Sequence, residues 1–246
     1  MTELQAALAA RAKELGADYF GVADLTLAAD FVAEQGGEFL RNFPLGISIG
    51  VRLPEGIVEE LPRHKEPMVA QTYNYTVYTV MSGTMDRIAL ALSRILQDGG
   101  YHALPVPVTQ TIDKANLRGV FSQKLAAHLA GLGWIGKSCL LVTPDHGTRV
   151  RWTTVLTDAP LEPGKPVDQR CGACKLCVEA CPVSAFTGRP FAESEPRSVR
   201  MNAQACEDYR VGLSATTGVR VCGMCVYVCP YGRKKARRQA KQPSVQ

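Results

Sequence analysis

The sequence predicts an α+β fold that is followed by a small cysteine-rich domain. In residues 1–162, segments with helical spacing of apolar side chains alternate with short β-branched segments, which favours helices packed on a sheet. Residues 160–166 contain three prolines and one glycine, which is typical of a linker. Eight of the nine cysteines come after it. We therefore expect an α/β domain at 1–162, a cysteine-rich domain at 163–232 and a basic tail at 233–246.

The first part of the chain predicts two helices and two strands. Thr2 and Gln5 form a capping-box pair, and apolar side chains follow it at helical spacing. Alternating, β-branched segments come after each helical one. The helices are predicted at residues 2–15 and 27–35, and the strands at residues 18–23 and 45–53.

The middle of the chain gives conflicting signals at residues 71–80. This stretch is aromatic and β-branched, so local propensity favours a strand. Downstream apolar residues keep helical spacing, and we therefore predict a helix at residues 77–97. Beyond it we predict a strand at residues 101–108, a helix at 119–131 and two adjacent strands at 139–142 and 151–156.

The cysteine-rich stretch contains two ferredoxin-type runs. From Cys171 to Cys181 the spacing is C-x2-C-x2-C-x3-C-P, in which the fourth cysteine binds a different iron–sulfur cluster from the first three. The second run, from Cys222 to Cys229, lacks a cysteine at the position of Val219. Cys206 is the one spare cysteine nearby, so we expect it to supply the missing ligand.

Eight cysteines then complete two 4Fe-4S clusters. Zinc and disulfides are the alternatives, but zinc gives no reason for a crossed fourth cysteine before a proline, and disulfides need an oxidising compartment. Cys139, in an apolar segment, is expected to be an inert buried thiol. Cluster one is predicted to bind Cys171, Cys174, Cys177 and Cys229, and cluster two Cys181, Cys206, Cys222 and Cys225.

The net charge of +5 comes from the C-terminal end of the chain. Six basic residues and no acidic residue lie between Arg233 and Lys241, so the remainder is close to neutral. Such a tail is either solvated or docks on nucleic acid or an acidic redox partner. The N-terminus has no signal-peptide pattern and no apolar run has the length of a membrane span, so we expect a cytoplasmic protein without a membrane partner.

Three motifs carry a resemblance to a known family. Residues 131–138 read G-L-G-W-I-G-K-S, residues 140–144 read L-L-V-T-P, and residues 155–161 read V-L-T-D-A-P-L. Together with the double cysteine run they resemble epoxyqueuosine reductases, which are related to reductive dehalogenases. The resemblance implies a nitroreductase-like, cobalamin-binding first domain and a ferredoxin-like domain that feeds single electrons to the cobalt. It further implies reduced ferredoxin or flavodoxin as the electron donor.

The chain departs from that family in two ways. The tRNA-modifying enzymes carry helical repeats after the clusters, whereas this chain ends soon after Pro230 and looks like a short paralogue. The family's expected proton donor, an aspartate, falls at Leu117, and Asp113 is the remaining candidate for a catalytic residue. We therefore expect tRNA binding to be absent or weak and to depend on the basic tail.

The resemblance also points to residues that would contact a corrin ring. Glycines allow a close backbone approach to a large cofactor. Trp134 is open to either core packing or a cofactor contact, and Lys137 to either a polar cofactor group or water. A bulky residue at Gly136 is expected to block corrinoid binding without loss of iron. The candidate cofactor-binding residues are Gly133, Trp134, Gly136, Lys137 and Ser138.

The most specific function that these patterns support is a cobalamin-dependent reductase fed by two 4Fe-4S clusters. The alternative is an electron-transfer or corrinoid-reducing protein without an organic substrate of its own. A missing acid at Leu117 suits that alternative. The size of the first domain favours the reductase, because two clusters alone do not need about 160 residues beside them.

Overall fold

The computed structural model describes residues 1–108 and 110–233. It divides into two compact units, each assembled from separate stretches of the chain. The first unit comprises Met1–Val51, Thr76–Gly133 and Arg151–Asp168. The second comprises Arg52–Tyr75, Trp134–Val150 and the described part of Gln169–Gln246.

Helices and strands alternate through the first half of the chain, and short helices dominate the remainder. The described α-helices are α1 (Glu3–Glu14), α2 (Ala29–Gly36), α3 (Glu55–Glu59), α4 (Pro67–Tyr73), α5 (Met81–Asp98), α6 (Gln123–Leu129), α7 (Leu176–Glu179), α8 (Ala203–Thr217) and α9 (Met224–Tyr227). The described strands are β1 (Tyr19–Asp24), β2 (Leu45–Arg52), β3 (Ala103–Val106), β4 (Trp134–Ile135), β5 (Leu141–Val142) and β6 (Val150–Thr157). This mixed architecture confirms the predicted α+β class.

The first unit is built on a four-stranded sheet with the order β1-β2-β6-β3. Strands β1 and β2 are antiparallel, with Val22 opposite Ile47, and β3 and β6 are antiparallel, with Val106 opposite Thr154. Helix α1 begins where predicted, since the Thr2 hydroxyl accepts the Gln5 backbone N–H at 3.2 Å. The sheet therefore joins strands that lie far apart in the sequence.

Each face of this sheet carries its own hydrophobic core. Ile47 and Ile49 of β2 pack in one core with Leu8 of α1 and Leu92 of α5. A second core surrounds α6 and includes the β6 residue Leu156 together with Leu125 and Leu129. Because successive side chains of a strand point to opposite faces, β2 and β6 are buried almost throughout.

The aromatic stretch that favoured a strand is helical in the structure. Asn74–Val80 forms a π-helix between α4 and α5, so the predicted helix at residues 77–97 extends further toward the N-terminus. Tyr73, Val77 and Met81 are buried at four-residue intervals, and this burial overrides the β propensity of the tyrosines and threonines. Within the first unit, the Arg151 guanidinium lies 4.6 Å from the centroid of the Tyr78 ring.

The second unit holds the short hairpin β4–β5 and the helices α3, α4, α7, α8 and α9. Strand β5 pairs with β4, with Trp134 opposite Val142, so the expectation that residues 139–142 would neighbour β6 is wrong. A turn at Gly136–Cys139 closes the hairpin, since the Cys139 N–H donates to the Gly136 carbonyl at 2.9 Å. Two-residue strands are too short for alternation to reveal their partner in the sequence.

Helix α8 is the longest element of the cysteine-rich stretch. The Asn202 side chain accepts the Ala205 N–H at its start, and Gly218, with φ of +77°, ends it. The described residues contain no helix that is both long and apolar enough to pass through a membrane.

Asp158 and His102 form a polar contact in the first unit. The Asp158 carboxylate accepts the backbone N–H of His102 at 2.8 Å and lies 2.6 Å from His102 Nδ1. Hydrogen bonds from His102 lower the pKa of Asp158. A lowered carboxyl pKa stabilises the fold above the unfolded value of about 3.9, and this contribution is lost as the pH falls through the folded pKa.

Asp158→Asn should therefore lower the free energy of unfolding at pH 7 by only about 0.5–1 kcal/mol, because the Asp158 side chain is partly exposed and the His102 side chain is largely exposed. The variant should also lose less stability than the wild type between about pH 4 and pH 2. Urea unfolding at several pH values measures both effects. Glu193→Gln, at an exposed loop position, is the control and should behave as the wild type. Equal acid sensitivity of Asp158→Asn and wild type would contradict the assignment.

Candidate iron–sulfur site

The first cysteine run forms a tight loop that ends in α7. The Cys174 N–H donates to the Cys171 carbonyl at 3.0 Å, and Gly172 takes a φ of +49°, which glycine adopts without strain. Cys177 lies on α7, one residue after its start. The loop therefore turns the thiols of Cys171, Cys174 and Cys177 toward one another.

These three thiols meet Cys229 from the end of the second run. The pKa of Cys177 is raised to about 11, mainly by burial and then by the neighbouring thiols of Cys171, Cys174 and Cys229. The four predicted ligands of cluster one, together with Cys225, also line one pocket of about 380 Å³, part of it open to solvent. The structure therefore brings together the four cysteines predicted for cluster one.

The second group gathers around Cys206. This residue lies in the first part of α8, and burial raises its pKa, with a smaller contribution from Cys181. The pKa of Cys222 is raised by burial and then by Cys206 and Cys181. The pKa of Cys225 is raised by burial first and then by Cys222, Cys206, Cys177 and Cys181. Cys206 is thus placed with the second group, as the gap at Val219 suggested.

The raised pKa values have a direct consequence for metal binding. A thiolate, not a thiol, is the iron ligand, and burial together with like charges disfavours thiolates in the absence of metal. Iron supplies the positive charge that offsets this cost, so cluster assembly releases protons and contributes to folding. Among the described residues, no three side chains of His, Cys, Asp or Glu are grouped to hold a single metal ion.

Several ligand sulfurs accept hydrogen bonds from the protein. The Trp134 indole N–H donates to Cys171 Sγ at 3.4 Å, and the Ala185 N–H donates to Cys181 Sγ at 3.2 Å. Cys229 Sγ accepts backbone N–H groups of Tyr231, Thr148 and Gly232. Hydrogen bonds to cluster sulfurs orient the ligands and change the reduction potential.

Residues 147–149 contact the segment that carries Cys225 and Cys229, and the sequence did not predict these contacts. Gly147 has a φ of +56°, and a Cβ there would lie 2.4 Å from the Gly232 nitrogen and 3.1 Å from Cys229 Sγ. The Thr148 hydroxyl donates toward the Val226 carbonyl at 3.2 Å. The turn residues around Pro144 were visible in the sequence, but nothing in it linked this turn to residues 225–232.

Arg149 makes a further contact to the same segment. Its side chain is 3% exposed, with Nη1 2.6 Å from Glu59 Oε1 and Nη2 3.2 Å from the carbonyl of Tyr227 at the end of α9. Because the cation is buried, loss of Glu59 would leave an uncompensated charge. The ion pair therefore ties α3 to the α9 segment that carries Cys225.

The residues predicted to contact a corrin ring pack mainly against the cluster-one loop. Trp134 is 1% exposed, and its indole N–H faces Cys171. Lys137 is 8% exposed and donates to the carbonyls of Gly172 and Cys174. A Cβ at Gly136 would lie 2.7 Å from Val142 Cγ2 and 3.4 Å from Cys171 Sγ, so a bulky residue there would disturb cluster one. Ser138 is buried in the same segment, and the Gly133 carbonyl accepts from His128 at 3.1 Å.

Asp113 lies in an exposed turn of the first unit. The Asn116 backbone N–H and side-chain amide donate to its carboxylate at 2.9 and 2.7 Å and lower its pKa. A general acid must hold a proton at working pH, and these bonds favour the ionised form. Leu117 in the same turn has a φ of +51°. Cys139 is buried at the end of the turn between β4 and β5.

The cluster assignment is tested by metal content. Anaerobically prepared protein should contain about eight irons and about eight sulfides per chain, since each cluster holds four of each. Cys206→Ala should lower the iron content to about half, because the second cluster loses a ligand, whereas Cys139→Ala should leave it unchanged. Iron, sulfide and zinc analysis measures this. About one zinc per chain without sulfide would contradict the assignment.

The close approach of Gly147 gives a second test. Gly147→Ala should displace the backbone beside Cys229 and lower the iron content to about half, because cluster one loses its fixed fourth ligand. Gly212→Ala in α8 is the matched control, since a Cβ there meets nothing within 4 Å. It should keep all iron and raise the free energy of unfolding by about 0.5–1 kcal/mol. Full iron in Gly147→Ala would show that this approach does not matter.

The family model of the 4Fe-4S double cluster binding domain matches residues 170–232. An epoxyqueuosine reductase of Synechococcus sp. (strain RCC307) is 37% identical over 123 residues, which cover 50% of this chain and 38% of that protein. The chain thus matches less than half of that relative's length.

Two solved structures share the fold. A crystal structure of epoxyqueuosine reductase with a tRNA-Tyr epoxyqueuosine-modified stem loop has a TM-score of 0.62 at 19% identity, covering 95% of this chain and 66% of that chain. A reductive dehalogenase structure that suggests a mechanism for B12-dependent dehalogenation has a TM-score of 0.66 at 19% identity, covering 96% and 33%. The chain is therefore similar to epoxyqueuosine reductases in sequence and fold and shares its fold with a reductive dehalogenase, and its residues 170–232 match a double 4Fe-4S cluster domain.

Proposed function

We propose that this protein is an iron–sulfur reductase that passes single electrons through two 4Fe-4S clusters to a corrinoid. The observation that carries the proposal is the pair of four-thiol groups within one compact unit. Cys225 of the second group also interacts with Cys177 of the first, so the two clusters would lie side by side. Adjacent clusters suit electron transfer rather than a structural role.

The corrinoid part of the proposal rests on the likeness of fold to a reductive dehalogenase with B12-dependent chemistry. A 4Fe-4S cluster passes one electron at a time, whereas reductive cleavage of a carbon–oxygen or carbon–halogen bond takes two. A corrinoid bound near the clusters would supply a centre that collects both electrons.

In this structure, the five residues predicted to contact the corrin ring make other contacts. Trp134, Gly136 and Lys137 are engaged with the cluster-one loop, and Ser138 is buried beside them. Gly133 offers its carbonyl to His128. Trp134 and Lys137 thus fit cluster one, so the corrinoid part of the proposal does not rest on them.

The alternative function is electron transfer, or reduction of a corrinoid on another protein, without an organic substrate. The observation in its favour is the proton supply. Asp113, the candidate acid, is held ionised by Asn116, and Leu117 occupies the position of the family's aspartate. A protein that only delivers electrons needs no acid at this place.

The proposed partners follow from the same resemblance. Reduced ferredoxin or flavodoxin is the proposed electron donor, because each gives up single electrons. A similar structure was solved with a tRNA stem loop, which makes tRNA a second candidate partner. The basic tail expected to bind tRNA extends beyond the described residues, and we propose weak, salt-sensitive binding at most.

Titration with cob(II)alamin separates the two functions. Protein with both clusters should change the electron paramagnetic resonance spectrum of cob(II)alamin from the free base-on form to a base-off form. Asp113→Asn should retain this change, because Asp113 is not among the residues predicted to bind the corrinoid. If the spectrum stays base-on at protein excess, the reductase proposal fails and the electron-transfer function takes its place.

The tRNA partner has its own test. In cells that lack the authentic epoxyqueuosine reductase, expression of this protein should not restore queuosine in tRNA, because tRNA binding is expected to be weak. Nucleoside analysis of the tRNA by mass spectrometry measures this, with the authentic enzyme as the positive control. Recovery of queuosine would show that tRNA is a true substrate and that the expectation is wrong.

A further inference from the structure

Lys137 is a buried lysine inside the cluster-one pocket. It is 8% exposed, and it lines the pocket together with Cys171, Cys174 and Cys229. Its Nζ donates to the Gly172 carbonyl at 2.7 Å and to the Cys174 carbonyl at 3.1 Å. Lysine is seldom buried unless its charge is compensated, and neutral carbonyls compensate it only in part. An anionic group in the pocket would complete the pairing.

Trp134, in the β4–β5 hairpin, contacts the same cluster-one loop. It is 1% exposed, and its indole N–H donates to Cys171 Sγ at 3.4 Å. The Tyr231 ring packs edge-on against it at 4.9 Å, and this contact fixes the indole plane. Gly136 lies between Trp134 and Lys137 and allows the hairpin to approach Cys171.

We propose that Lys137 and Trp134 are positioning residues that raise the reduction potential of cluster one. This inference rests on the proposed presence of both clusters. Reduction adds one electron to the cluster, with no bond broken and no proton required. A nearby buried cation and a hydrogen bond to a ligand sulfur stabilise the added negative charge, and both effects favour the reduced form.

Cluster two has a weaker set of such contacts among the described residues. Its sulfurs accept backbone N–H groups, from Ala185 to Cys181 and from Met224 to Cys222. Arg210 acts on Cys206, but its guanidinium pairs with Glu207 at 2.8 Å, and Glu207 itself opposes the effect. Cluster one should therefore have the higher potential, and one-electron transfer from cluster two to cluster one is favoured.

The test is a potentiometric titration with dithionite as reductant, followed by electron paramagnetic resonance. Lys137→Met should lower the potential of one of the two clusters, with the equilibrium constant for its reduction falling about tenfold, or about 59 mV for a one-electron couple. The other cluster should keep its potential. Lys175→Met is the matched control, because it removes an exposed charge from the same loop and should give a much smaller shift.

Trp134→Phe is the second variant, since it keeps a ring in the packing while removing the N–H donor. It should also lower the potential of the same cluster while iron stays at the wild-type level, and it decides the matter if Lys137→Met loses iron. Unchanged potentials in iron-complete variants would overturn this inference and leave the proposed function intact. A wild-type protein without either cluster signal would overturn both.

Discussion

The arrangement of the second unit depends on one electrostatic constraint, the crowding of eight partly or fully buried thiols in two adjoining groups. Burial and mutual repulsion raise the pKa values of Cys177 and Cys225, so the metal-free protein favours neutral thiols that bind iron poorly. Only the positive charge of bound iron makes eight neighbouring thiolates favourable. Folding of this unit and assembly of its clusters are therefore one process in energetic terms.

The same constraint explains why the unit is built from distant stretches of the chain. A loop of four cysteines cannot supply all the hydrogen bonds that its own sulfurs and carbonyls accept, so residues 134–149 supply donors from outside the loop. Trp134 donates to a sulfur, Lys137 to two loop carbonyls, and Arg149 to the end of α9. Each donor is fixed by the hairpin β4–β5 or the turn that follows it. The unit that holds the clusters is thus larger than the cysteine-rich stretch.

The sequence predicted those features that depend on local spacing. The cysteine run and the gap at Val219 were sufficient to place Cys206 with the second group, because ligand spacing follows from cluster geometry. Helix α1 followed from the Thr2 cap and the periodicity behind it. The tyrosine stretch at residues 71–80 was harder, since burial of Tyr73 and Val77 decided between a helix and a strand.

Contacts between residues that are distant in the sequence could not be predicted from local spacing, and Lys137 is an example. In the sequence it stands between Gly136 and Ser138 in a motif that the resemblance links to a cofactor, so a corrin contact was a reasonable hypothesis. The structure turns its amine toward Gly172 and Cys174 instead. A lysine that donates to carbonyls of the cluster-one loop stabilises the loop, and it would also stabilise the negative charge that cluster one gains on reduction. The motif at residues 131–138 can therefore serve a redox function through cluster one, whatever acceptor the electrons finally reach.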